Sequence, residues 1–252
     1  MALRGSAFGL LLTVASACAA GASEIMSDGL PDLLEAHASG VFLNADGDVL
    51  TARHAVLDCR RIFVIRGRSV SRAQIVTDSA PLDLAVLKTT LTPYLSATII
   101  ASPHRLEVSR VVFTEAYSRL LRAHDSVRVI SNAIALPGGT SLRLLSAAQP
   151  GASGSPVLGS DGLLWGVVLA RVAHRPGVSG GLLSRAGRVH VPGGATYVHA
   201  VPADKIQTFL AHNEVPFTSS DVPQLGRHQS PAVRAATLSV GVLCDGTDPV
   251  NP

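Results

Sequence analysis

Gln149-Pro150-Gly151-Ala152-Ser153-Gly154-Ser155-Pro156-Val157 sets a serine in a tight, glycine-flanked turn just before an apolar strand. Glycine on either side lets the backbone bend sharply, so the Ser153 hydroxyl can stand clear of it. The same turn can aim the amides of Gly151 and Ser153 at one point, where a developing oxyanion would sit. Gly-Ser turns are common in all-β proteins, so the turn alone decides little. Two upstream stretches give it meaning. Val49-Leu50-Thr51-Ala52-Arg53-His54-Ala55-Val56 reads as a strand ending in a histidine, and Pro81-Leu82-Asp83-Leu84-Ala85-Val86-Leu87-Lys88 brings Asp83 into an otherwise apolar strand. A carboxylate between Leu82 and Leu84 is costly to bury unless it is paired. A histidine N–H is a suitable partner, and the pair would fix the imidazole tautomer and stabilise its protonated form. Base, orienter and nucleophile then occur in the order His54, Asp83, Ser153.

Thr-Ala-x-His, Asp-Leu-Ala-Val-Leu-Lys and Pro-Gly-x-Ser-Gly-x-Pro resemble the three active-site blocks of trypsin-like serine endopeptidases, in the same order and at similar spacing. The branch most similar is the HtrA/Deg type. Tyr197-Val198-His199-Ala200-Val201-Pro202-Ala203-Asp204-Lys205-Ile206 resembles that branch's last strand and the start of its C-terminal helix. The resemblance runs over roughly residues 36–213 and implies an all-β chymotrypsin-like fold: two antiparallel six-stranded β-barrels, an active site in the cleft between them, and a C-terminal helix. It leaves no room for the PDZ domain that many HtrA-type proteases carry. Ala152 and Ser155 depart from the family pattern. Ala152 stands where pancreatic-type members have an aspartate that pairs with a newly cut N-terminus, so that form of activation is not expected. Ser155 matches a structural glycine of the family and is rejected as a rival nucleophile.

Strand-like runs support an all-β reading independently. Val41-Phe42-Leu43 and Val49-Leu50-Thr51 flank Asn44-Ala45-Asp46-Gly47-Asp48, which reads as a hairpin turn. Ile62 to Ile65, Ala73 to Val76 and Leu84 to Leu87 follow at intervals typical of a meander or barrel. A second set comprises Val111 to Phe113, Val127 to Ile130, Leu142 to Leu145, Leu163 to Leu169 and Tyr197 to Val201. The seam between the sets falls near residues 101–108. One helix is expected after Pro202, where Ile206, Phe209 and Leu210 form an apolar stripe and Asp204 lies in the favourable first turn. Arg171 to Gly194 reads as a long, exposed and mobile loop. Residues 214–252 carry five prolines and show no clear periodicity before Ala236. The domain reading is therefore a leader over 1–22, a protease domain over 23–213 and a Pro-containing tail over 214–252.

The leader has a positive start at Arg4, an apolar run from Ala7 to Ala17 and small residues at Ala20-Gly21-Ala22, as a secretory signal requires. The run is short for a membrane span, and no span is expected in the mature chain. Periplasmic or secreted localisation follows. A lipoprotein anchor at Cys18 is a minor alternative. With 21 Lys and Arg against 18 Asp and Glu, the net charge of +3 is too slight to suggest nucleic acid. Cys59 and Cys244 either pair in an oxidising compartment or remain two buried thiols. The histidines form no metal-ligand spacing, and no cofactor or metal is expected.

The chemistry the resemblance implies is peptide hydrolysis. Ser153 attacks the carbonyl, His54 moves the proton, Asp83 holds His54, and the amides of Gly151 and Ser153 form the oxyanion hole. The alternative is a catalytically silent relative that binds peptides or proteins in the same cleft. Ala147, the sixth residue before the serine, would sit near the base of the primary pocket, which favours small or medium apolar side chains. His199 would lie in the pocket wall as a structural residue or as a binder of acidic side chains. The substrates are proteins or peptides; the oligomeric state is not legible.

Overall fold

The computed structural model describes residues 36–102, 108–122, 131–138, 141–148, 150–172 and 196–247. The leader with Cys18, the strand expected at 127–130 and most of the 171–194 loop lie outside the described residues. The first barrel contains β1 (Ala38–Phe42), β2 (Asp48–Ala52), β3 (Cys59–Arg66), β4 (Ser69–Ser79) and β5 (Leu84–Lys88). The second set is β6 (Thr98–Ile100), β7 (Arg110–Phe113), β8 (Ala133–Leu136), β9 (Leu142–Ser146), β10 (Pro156–Gly159), β11 (Leu164–Val172), β12 (Thr196–Pro202) and β13 (Thr218–Ser220). Helices α1 (Tyr117–Leu120), α2 (Ala203–His212) and α3 (Pro231–Leu238) and a further strand, β14 (Ser239–Thr247), complete the elements of the described residues.

The first barrel closes in the order β1-β14-β3-β4-β5-β2, all pairs antiparallel. The second runs β10-β7-β8-β9-β12-β11 and closes through antiparallel β10–β11 pairing, with β6 and β13 added in parallel beyond β11. These are the two six-stranded barrels of the expected chymotrypsin-like architecture. The hairpin between β1 and β2 is built by Asn44, whose Oδ1 accepts from the amides of Asp46 and Asp48 at 3.0 and 3.3 Å, while Gly47 takes the left-handed φ of 84°.

In the first barrel β1, β2 and β5 are buried on both faces along nearly their whole length, which explains why they read as apolar runs rather than alternating ones. Phe42, Val49, Ala85 and Leu87 point into that barrel, against Val64, Val240 and Val242. Their neighbours Val41, Leu50, Leu84 and Val86 point the other way, into a core shared with Leu158, Leu164, Val167 and Val201 of the second barrel and with Ile206 and Leu210 of α2. The second barrel's own interior holds Val112, Ala135, Leu144, Val157, Val168 and Val198. The barrels are thus joined by continuous apolar packing, and the strand ends at their junction are held in fixed relation. Among the described residues no helix is long and apolar enough to cross a membrane.

The tail reading of 214–252 is corrected over 218–247. Those residues supply β13, α3 and β14, and β14 is an interior strand of the first barrel between β1 and β3. Helix α3 opens on Pro231 behind Ser230, whose hydroxyl accepts the Val233 amide at 3.2 Å. Cys244 in β14 is joined to Cys59 at the start of β3 by a disulfide spanning 185 residues, with Cα atoms 5.3 Å apart. The bond closes a long loop and removes many conformations from the unfolded chain. Converting both cysteines to serine should lower stability by about 2–5 kcal/mol, read from the guanidinium midpoint; an unchanged midpoint would show that β14 is held by packing alone.

Candidate active site

Each of the three residues singled out from sequence sits in a turn beside a strand rather than within one. His54 lies just past β2 on a single helical turn, Arg53–Ala55, rather than on the strand itself. Asp83 immediately precedes β5, and its backbone is not extended: φ is 52°. A strand cannot accommodate that value, which corrects the reading of Asp83 as a strand residue. Aspartate is one of the few residues with a side chain that visits this region routinely. The kink turns both ends of Asp83 toward the histidine turn. Its carbonyl accepts the Arg53 amide at 2.9 Å, its Oδ1 accepts the His54 amide at 2.9 Å, and its Oδ2 lies 2.6 Å from His54 Nδ1. An ion pair between Arg53 and Asp78 flanks the arrangement.

A carboxylate accepts only, so His54 Nδ1 carries the proton in that contact. Nε2 then presents its lone pair to Ser153 Oγ, 3.1 Å away. Ser153 comes from the second barrel, on the turn between β9 and β10. Gly151 and Gly154 take φ values of 95° and 84° to make that turn. The Gly154 amide donates to Val168 O at 2.8 Å, and the Ser155 amide to Ala152 O at 2.9 Å. Ser153 Oγ also lies 3.0 Å from Leu169 O. One hydroxyl proton therefore has two acceptors. With neutral His54 it can turn to Nε2; with His54 protonated, Nε2–H donates to Oγ and the hydroxyl turns to Leu169. The barrels so bring His54, Asp83 and Ser153, scattered over 100 residues of sequence, into one hydrogen-bonded line.

The other residues that the sequence brings forward are placed differently. Ser155 is turned away from this line, its hydroxyl donating to Glu115 O at 2.8 Å. Ala147 is exposed just beyond β9. His199 is half-buried in β12, opposite Ala170 and Arg143, with Nδ1 3.4 Å from Ser141 Oγ.

His37, not singled out from sequence, braces the histidine turn from behind. The Cys244 amide donates to its Nδ1 at 3.0 Å, which leaves the proton on Nε2 to donate to Ala55 O at 2.9 Å. Neutral imidazole satisfies both contacts; the protonated ring would lose its acceptor. Burial pushes the His37 pKa below its ordinary 6.5, the Ala55 hydrogen bond opposing and the nearby His54 adding to the shift. The folded state therefore binds fewer protons here than the unfolded chain once pH falls below 6.5. Stability from this site is complete above that value and is lost as pH drops toward the lowered folded value. Between about pH 8 and about pH 5, wild type should lose more thermal stability than His37→Gln; parallel melting curves would exclude the bridge as the sensor.

Several known proteins are similar to this chain. The family model described as the trypsin-like peptidase domain matches residues 38–167, just over half of the chain. No curated protein matches it. Among solved structures, a serine-to-alanine variant of the HtrA-type protease AlgW with a tripeptide is 19% identical, covering 71% of this chain and 55% of that one, with a TM-score of 0.48. AlgW with a decapeptide is 18% identical over 70% of this chain and 51% of that one, also at 0.48. The serine endoprotease from Yersinia pestis is 20% identical over 71% and 57%, at 0.45. The chain thus spans a little over half the length of these solved proteins.

Proposed function

The chain belongs to the trypsin-like peptidase domain family, and on that footing we propose that it is an exported serine endopeptidase with a His54–Asp83–Ser153 triad. The observation that carries this reading is the unbroken contact from Asp83 Oδ2 through His54 to Ser153 Oγ, at 2.6 and 3.1 Å, across two barrels. In the proposed cycle His54 Nε2 takes the Ser153 proton as Oγ attacks a peptide carbonyl. Asp83 keeps Nδ1 protonated and stabilises the imidazolium that forms. Gly151 and Ser153 amides stabilise the oxyanion, and His54 returns the proton to the leaving amine. Water then repeats the sequence on the acyl-enzyme.

Substrates in this reading are proteins or peptides with a small or medium apolar residue before the cut, because Ala147 supplies no carboxylate to favour Lys or Arg. The disulfide between Cys59 and Cys244 suits an oxidising compartment and supports export through the leader. A fluorophosphonate probe tests the proposal: it esterifies only an activated serine, and mass spectrometry of the labelled peptides identifies which one. Labelling is expected at Ser153. A folded wild-type protein that stays unlabelled, or that labels elsewhere, would sink the assignment.

A further inference from the structure

We infer that Ser39 is a positioning residue for the oxyanion site, holding the carbonyls of the same two residues, Gly151 and Ser153, whose amides are to bind the oxyanion. The inference rests on the endopeptidase reading above. Ser39 is fully buried in β1, a strand of the first barrel, whereas the nucleophile turn belongs to the second. Its amide donates to Ser153 O at 2.8 Å. Its hydroxyl donates to Gly151 O at 2.7 Å. The Tyr117 amide donates to that same hydroxyl oxygen at 2.9 Å. An oxygen that receives a hydrogen bond from an N–H must use its only proton elsewhere, so the Ser39 hydroxyl is committed to Gly151.

The anchor itself is tied into the first barrel on both sides. Ser39 sits opposite Gly241 of β14, the neighbouring Gly40 opposite Thr51 of β2, and Thr51 Oγ1 donates to Ser39 O at 2.7 Å. The held turn, by contrast, needs holding. Gly151 has a φ of 95°, and without a Cβ its flanking peptide planes swing with little steric resistance. Holding its carbonyl fixes the peptide plane between Gly151 and Ala152, and holding the Ser153 carbonyl fixes the plane between Ser153 and Gly154. The Ser153 amide plane is then clamped between two fixed planes, and the Gly151 amide plane adjoins one. Preorganised donors of this kind count for catalysis only if they do not have to reorient as charge develops.

The test uses the full mature protein, with fluorophosphonate labelling rates and the hydrolysis of a fluorogenic casein peptide as readouts. Ser39→Ala keeps the backbone bond to Ser153 and leaves the Gly151 carbonyl unheld. Labelling rate and kcat should fall about 10- to 100-fold, with KM within about twofold of wild type. Ser155→Ala is the comparison: it deletes another fully buried hydroxyl in the same region, one that reaches Glu115 instead, and should label at close to the wild-type rate. Ser39→Cys, with a weaker donor of similar shape, should fall between wild type and Ser39→Ala, and it carries the test if the alanine variant does not fold. Ser39→Ala labelling at the wild-type rate would overturn the inference. So would equal slowing of Ser39→Ala and Ser155→Ala in step with their losses of Tm. Wild type that is not labelled at all would instead remove the endopeptidase reading on which the inference stands.

Discussion

Ser153→Ala or His54→Ala should reduce peptide hydrolysis by roughly 10⁵- to 10⁶-fold, and Asp83→Asn by about 10⁴-fold. In the proposed cycle the first two remove the bond-forming oxygen and the group that carries its proton, and residues acting as such a unit make the double variant scarcely worse than either single one. Asp83→Asn is the more discriminating change. Asparagine tolerates the left-handed backbone that Asp83 adopts at φ 52° as well as aspartate does, so folding should be preserved. Its carbonyl oxygen can still accept the His54 amide, which in the wild type donates to Oδ1 at 2.9 Å. The NH₂ group then falls opposite Nδ1, where a donor meets the N–H that in the wild type faces Oδ2 at 2.6 Å. To avoid that clash the imidazole moves its proton to Nε2, and it no longer presents a lone pair to Ser153. Initial rates on a fluorogenic peptide, with melting curves to show that the variant is folded, check the expectation. Activity of Asp83→Asn within about tenfold of wild type would mean that His54 is not the base.

What could be read from the sequence, and what could not, divides along a physical line. Local patterns were legible. The 44–48 hairpin, the apolar strands at 62–65, 84–87, 142–145 and 197–201, and the stripe of α2 all carry their signal within a few residues. The three residues of the proposed triad could be singled out because each sits in a distinctive block beside a strand. Short strands such as β6, three residues long, fall below what periodicity can resolve. Strand β14 was missed for another reason. Its place between β1 and β3 is fixed by pairings such as Ser39↔Gly241 and Phe63↔Leu243, which join opposite ends of the chain and leave no local trace. Cys244 was the one residue there whose chemistry hinted at a distant partner. Likewise Ser39 and His37 look like ordinary residues within and just before a strand. Their roles come from what the register and the inter-barrel packing set against them.

That packing also governs which glycine matters most. Gly154→Ala should destabilise the protein by about 4 kcal/mol or more, whereas Gly67→Ala should cost about 1–2 kcal/mol. Both glycines have positive φ, 84° and 57°, so both substitutions bear the left-handed strain of an L-residue. Around Gly67 nothing lies within 4 Å of an added Cβ, and strain is the whole cost. At Gly154 the Cβ would fall 1.9 Å from Ser39 O and 2.6 Å from Thr51 Oγ1. The oxygen that it meets is backbone of a strand paired on both edges, with β14 and β2, so it cannot step aside as a side-chain tip would. Relief must come from the turn, which would lift off β1 and give up the 2.8 Å bond from the Ser39 amide to Ser153 O. Denaturant midpoints measured side by side separate the two costs, because subtracting the Gly67 value removes the backbone strain common to both. Any Gly154→Ala protein that still folds should also label slowly with fluorophosphonate, since the displaced turn carries Ser153 away from His54. Equal costs at the two positions would show that the barrels yield at this contact, and that β1 does not anchor the nucleophile turn.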